Sequence, residues 1–180
     1  MKSSLLILCI FLTIFKSNAA SRGLLYSETD NPSAEKSAHS VKLETFEDSQ
    51  YYIGFTFEGT WFQAMRYCKL LNMDMVSVET EAENDFLYHK LKSLCKDFGG
   101  DDDYRFWSSG TTYAYDKWAW MGTGQPIHYF SWMPKKPSSS KDENCLEIRY
   151  NKHDGLLWSN EVDNKNLHVI CESKISKAVK

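Results

Sequence analysis

Four cysteines are the first residues in this chain whose chemistry can be read from type and spacing. They are Cys68, Cys95, Cys145 and Cys171, and a fifth, Cys9, falls inside an apolar run at the N-terminus. An even cysteine set in an exported chain points to disulfides, and four cysteines allow three connectivities. Metal chemistry is the competing reading. No two cysteines stand at zinc-ligand spacing, and His168, three positions before Cys171, has no second pair to join it. The other reactive types are scattered. His89 and His153 lie among acids and lysines in polar segments, which reads as surface. Asp101–Asp103 lacks the alternating ligands and closing Glu of a calcium loop, so it reads as a solvated turn. Gly122-Thr123-Gly124 lacks the rest of a dinucleotide fingerprint. With no His-Glu-x-x-His, Gly-x-Ser-x-Gly or phosphate loop present, the expectation is a protein that is not an enzyme.

The chain that must position these residues has 180 of them, enough for one domain with modest extensions. Lys2, the apolar run Leu5–Phe15 and the small residues Ser17-Asn18-Ala19 read as a secretory signal peptide over residues 1–19. That run is short for a membrane span, which needs about 20 residues. Loss of Lys2 and Lys16 with the leader takes the formal charge from −3 to −5. With no Lys/Arg stripe, this balance argues against nucleic acid. The expected protein is soluble, secreted and extracellular, without a membrane span.

Residues 20–45 are polar and rich in Ser, Glu and Lys, and read as a flexible arm without heptads. The Asn31-Pro32-Ser33 triplet fails as a glycosylation acceptor because of its proline. The domain is expected over 46–173, with 174–180 as a tail. Tyr51–Phe55 is aromatic and β-branched and predicts a strand. Thr60…Gln63 and Thr80…Glu83 are two capping boxes. They open helices through Trp61, Ala64, Met65, Cys68 and Leu71, and through Phe86, Leu87, Leu91 and Leu94, with Asn72 stopping the first. Short strands are predicted at Met75–Val78, Arg105–Trp107, Lys117–Trp120, Cys145–Arg149, Leu156–Ser159 and His168–Glu172. A long irregular loop with Pro126, Pro134 and Pro137 reaches Asn144. Two helices, short antiparallel strands and one long loop describe an α+β domain.

In order along the chain come Cys68, Met75-Val76-Ser77-Val78, Glu79-Thr80-Glu81, Phe106-Trp107-Ser108-Ser109-Gly110 and Trp118-Ala119-Trp120. Then follow Glu143-Asn144-Cys145, Leu157-Trp158-Ser159-Asn160 and Val169-Ile170-Cys171-Glu172. This series resembles the C-type lectin domain over about Phe46 to Ser173, and the layout is similar to secreted lectins of invertebrates. The resemblance implies the C-type-lectin-like fold and a Cys68–Cys171 disulfide. It also implies carbohydrate recognition on microbial or host surfaces, of the kind used in innate immunity. The family's second disulfide would join Cys145 to a position held here by Asp163. Cys95 is therefore either a substitute partner for Cys145, or one or both cysteines stay free or bridge two chains.

In sugar-binding members a calcium ion is held by a Glu-Pro-Asn or Gln-Pro-Asp triplet, a later Glu, and the Asn-Asp of Trp-Asn-Asp. Mapped here, these become Lys136-Pro137-Ser138, Glu143 and Trp158-Ser159-Asn160. The expected carbohydrate-binding residues are thus Lys136, Ser138, Glu143, Ser159 and Asn160, with Glu143 the one retained metal ligand. Three carboxylates have become one, and an ammonium has been added. Two unit charges of like sign about 4 Å apart repel by about 4 kcal/mol at an effective dielectric of about 20. The expectation is a calcium site that is weak or absent, unless Asp142 or Glu147 supplies a ligand. Tyr113, Tyr115, Tyr129 or Phe130 could stack on sugar, whereas most of Trp107, Trp118, Trp120, Trp132 and Trp158 are expected in the core. The alternative function is a calcium-independent module that binds a protein ligand.

Overall fold

The computed structural model describes residues 42–95, 103–114 and 116–176. The expected leader, most of the arm, Asp101, Asp102, Tyr115 and the end of the tail lie outside the described residues. Within them are two helices and eight strands. The strands are β1 (Glu44–Phe46), β2 (Ser49–Gly59), β3 (Asp74–Met75), β4 (Asp103–Thr111), β5 (Ala119–Trp120), β6 (Cys145–Asn151), β7 (Gly155–Glu161) and β8 (Leu167–Lys174). The helices are α1 (Trp61–Leu70) and α2 (Glu81–Leu94). β1 starts inside the stretch assigned to the arm, and β8 runs one residue past the expected domain end at Ser173.

One sheet runs β1-β2-β8-β4-β6-β7, with β3 on β8 and β5 on β4. Its pairs are antiparallel except for one: Phe106 and Trp107 of β4 lie parallel to His168 and Val169 of β8. The expectation of antiparallel strands throughout is corrected at this pair. The predicted Met75–Val78 strand also shortens, because only Asp74 and Met75 join the ladder. Val76 instead donates to the Ile170 carbonyl and accepts from the Ser109 N–H. It is bonded on one side to β8 and on the other to β4.

Both helices begin where the caps predicted. Thr60 accepts from Gln63 N–H while its own N–H donates to Gln63 Oε1 at 2.9 Å, a complete reciprocal box. The second box is only half made. Thr80 accepts from Glu83 N–H at 3.1 Å, but the Glu83 carboxylate turns inward. It takes the Glu79 N–H at 2.8 Å and the Tyr51 hydroxyl at 2.7 Å. Burial of Glu83 against the sheet decides this, because a buried carboxylate needs donors more than a solvated cap does. Asn72 adopts φ 57° just past α1, a conformation that Asn tolerates at a helix end.

Alternation along the strands puts a core on each face of the sheet. Trp61, Ala64 and Cys68 of α1 pack with Trp107, Cys145, Val169 and Cys171 on one face. Leu87 and Leu91 of α2 pack with Phe106, Leu146, Ile148, Trp158 and Ile170 on the other. Part of the long loop, residues 121–144, closes over this second core through Ile127, Tyr129 and Trp132.

Candidate functional site

Four of the five expected sugar-site residues do meet, and they bond to one another. The loop 136–138 folds back onto Glu143, just before β6, and Asn160, near the end of β7. Lys136 Nζ lies 3.3 Å from Glu143 Oε2 and 3.2 Å from the Asn160 carbonyl. Ser138 Oγ donates a short bond to the same Glu143 oxygen. The Asn160 amide is used at both ends: Oδ1 accepts from Ser138 N–H at 2.8 Å, and Nδ2 donates to the Ser138 and Glu143 carbonyls at 3.2 Å each. Lys136 and Glu143 are partly shielded, which strengthens their attraction relative to a fully exposed pair.

This donor set does not fit the family's calcium. A calcium ion takes six to eight oxygens, mostly from carboxylates and carbonyls. Here one carboxylate is present, an ammonium already sits on it, and the amide oxygen of Asn160 is taken by a backbone donor. Among the described residues no group of three or more His, Cys, Asp or Glu is placed to hold a metal ion.

Ser159, the fifth expected residue, is not part of the cluster surface. It is buried opposite Glu147, and side-chain alternation turns it to the other face from Asn160. Glu147 is likewise committed elsewhere, since Arg105 Nε donates to it at 2.7 Å while Arg105 Nη2 reaches Glu161 at 2.6 Å. Burial pushes the Glu147 carboxyl up, against the pull of Arg105. Asp142 is exposed.

The aromatic residues divide between two places. Trp107, Trp120 and Trp158 are fully buried, as expected, while Trp118 and Trp132 are only half-buried. Phe130, 44% exposed, stacks on Trp132 at 5.9 Å, and Tyr129 meets Trp158 edge-on at 5.4 Å. Trp132 in turn leans on Trp118 and Trp158. Tyr113 is elsewhere: it is 46% exposed and stacks at 6.1 Å on Phe62, itself 51% exposed. The Phe62–Tyr113 pair was not legible in sequence, because it joins the first turn of α1 to a loop fifty residues away.

Among the described residues the cysteines resolve into one bond and two thiols. Cys68 of α1 joins Cys171 of β8 across 103 residues. The pairing of Cys95 with Cys145 is not made; both are buried free cysteines. The reason is topological: Cys95 ends α2 on one face of the sheet, whereas Cys145 packs with the α1 core on the other. Around Cys145, the Tyr113 hydroxyl donates to Asp163 Oδ2 at 2.6 Å. Thus Asp163, at the family's cysteine position, receives a phenol instead of forming a disulfide. Burial, followed by the Asp163 charge, pushes the Cys145 thiol up to about 12. Burial does the same for Cys95. Burial of this kind disfavours the thiolate, the form that acts as a nucleophile. His89 and His153 are exposed, as expected, and His168 holds the Phe57 carbonyl through Nδ1 at 2.8 Å.

Similarity to known proteins bears on both the sheet and this loop cluster. Residues 57–173 match the family model described as "Lectin C-type domain". C-type lectin mosGCTL-7 of Aedes aegypti is 27% identical over 125 residues, which is 67% of this chain and 81% of that protein. Salivary C-type lectin 2 of Aedes albopictus is 29% identical over 131 residues, 71% of this chain and 86% of that protein. The crystal structure of human lithostathine superposes with a TM-score of 0.63 at 24% identity, covering 83% of this chain and 99% of that one. The SPL-1 - GlcNAc complex superposes at 0.62 with 22% identity, covering 79% and 99%. At such identities the solved structures establish the fold, and the family match spans most of the described sheet and both helices. With its two-faced sheet, its Cys68–Cys171 bond and its long loop closed on β7, this chain belongs to the C-type lectin family.

Proposed function

We propose that the chain is a secreted lectin that recognises carbohydrate without a calcium ion at the family's sugar position. The observation that carries this reading is the Lys136 ammonium, placed between Glu143 and the Asn160 carbonyl. A tethered cation neutralises the one remaining carboxylate, so closing this loop needs no ion from solution. Family membership supports carbohydrate as the ligand class, and one structural neighbour was solved as a GlcNAc complex. The leader-like N-terminus, the buried disulfide and the kinship to a salivary lectin support export. The Cys95 and Cys145 thiols are buried, which does not suit either as a nucleophile.

A second reading has its own observation. Phe62 and Tyr113 form an exposed aromatic pair separate from the Lys136 cluster, and exposed aromatics are enriched where proteins meet proteins. Binding of the purified mature protein to a glycan panel, once with calcium and once with a chelator, separates these readings. Equal binding in both conditions is the expected result. Binding that disappears with the chelator would overturn the metal-free account, and no binding in either condition would shift the assignment to a protein ligand.

A further inference from the structure

Beside the Lys136 cluster the long loop forms one wall of an open cleft that no expected site residue lines. Met133 donates its N–H to the Trp158 carbonyl at 2.8 Å, and Trp158 donates to the Ser131 carbonyl at 2.7 Å. The loop therefore touches β7 through one isolated bridge, Trp132 against Trp158. Trp132 lies over the α2-side core, which leaves Met133 on the opposite face, next to Leu157. The Lys136 N–H donates to the Met133 carbonyl at 3.0 Å, so the turn that carries the ammonium also holds this wall.

The cleft is lined by Met133, Arg149, Asn151, Asp154, Gly155 and Leu157, and its cavity volume is about 140 Å³. That is below the roughly 300–1,000 Å³ typical of drug-sized ligand sites, so the cleft suits one face of a single sugar ring and not a longer glycan. Arg149 and Leu157 are cross-strand partners on β6 and β7. Arg149 is oriented by Asp103, to which Nε donates at 2.7 Å and Nη2 also donates. At the hairpin end Asn151 Oδ1 accepts from the His153 and Asp154 N–H groups at 2.9 and 3.2 Å, which fixes the turn carrying Asp154.

We propose that this cleft binds one neutral hexose, a step that rests on the metal-free lectin reading. A pyranose ring has apolar C–H faces and a rim of hydroxyls that both donate and accept. Met133 and Leu157 supply the apolar side. The Asp154 carboxylate accepts, the Arg149 guanidinium donates, and the Asn151 amide nitrogen donates. Charge selects among sugars. Asp103 already engages Arg149, and the one other charged group of the lining is the Asp154 carboxylate, so the lining favours neutral sugars over sulfated or sialylated ones.

The test is the glycan panel in chelator, with neutral and acidic sugars, comparing the full mature protein with Asp154→Ala and Arg149→Met. Asp154 is an exposed turn side chain, so its variant should melt like the parent, and it keeps the test decisive if Arg149→Met folds poorly. The expected result is binding of neutral hexoses by the parent, weakened about tenfold or more by Asp154→Ala at unchanged melting temperature. If the parent binds in chelator and Asp154→Ala binds equally, the cleft is the wrong site while the metal-free lectin stands. A preference for acidic glycans would likewise overturn the assignment of a neutral sugar. Absence of all sugar binding by the parent in chelator would instead defeat the lectin reading itself.

Discussion

The two faces of the sheet are held together by different means. On the α1 face, Cys68 and Cys171 form a covalent link inside an apolar cluster with Trp61, Trp107 and Val169. On the α2 face the long loop is held by noncovalent contacts. Its aromatic ladder runs from Phe130 through Trp132 to Trp118 and Trp158, and the Lys136–Glu143–Asn160 contacts continue it. The first face resists unfolding because a long closed loop restricts the unfolded chain. The second is held by packing and by a side-chain cation, so it should be indifferent to dissolved metal. On the metal-free reading, a region keeps a family's outline when another charge and enough aromatic surface take the place of the ion.

Three experiments sharpen or break this contrast. Replacing both Cys68 and Cys171 by Ala should cost the most, about 4–5 kcal/mol from loop-closure entropy alone. Urea denaturation checks it; a loss under about 1 kcal/mol would mean that the covalent link is not what distinguishes this face. Trp132→Ala should cost about 3 kcal/mol, the low end for large aromatic truncations, because Trp132 is only half-buried. Its checks are the same denaturation curve and the near-ultraviolet dichroism of the tryptophan ladder; an unchanged spectrum would show that the ladder does not order the loop. Lys136→Met should have the smallest effect, about 1 kcal/mol, since the lost charged hydrogen bonds are partly solvated. Melting of parent and variant with calcium and with chelator supplies the check. A parent whose melting temperature falls in chelator would break the comparison, because the loop would then depend on an ion after all.

Much of this architecture was legible in the residues. The Thr60–Gln63 box, the helical spacing through Cys68, and the strands after Cys145, Leu156 and His168 all follow from local pattern, which acts over a few neighbours. The half-made box at Thr80 was not legible. The choice of Glu83 between its own cap and the Tyr51 hydroxyl depends on burial against a strand thirty residues earlier. The candidate site divides in the same way. The loss of carboxylates at Lys136 and Asn160, against a Glu-Pro-Asn and Trp-Asn-Asp pattern, was visible in the sequence. That Lys136 turns inward onto Glu143, while Ser159 faces away, required the fold of the loop and the alternation of β7.

By itself, then, the sequence determined which groups were available: one carboxylate and one ammonium at the family's sugar position, four cysteines from Cys68 onward, and aromatics enough for two cores. Composition and short-range periodicity are sufficient for that. Only the tertiary structure decided which groups meet. It placed Cys95 and Cys145 on opposite faces of one sheet, brought Tyr113 to Asp163, and set Arg149, Asp154 and Met133 around one cleft. The physical reason is that strand register and the path of the long loop arise from contacts far apart in the chain, and local pattern carries no record of distance.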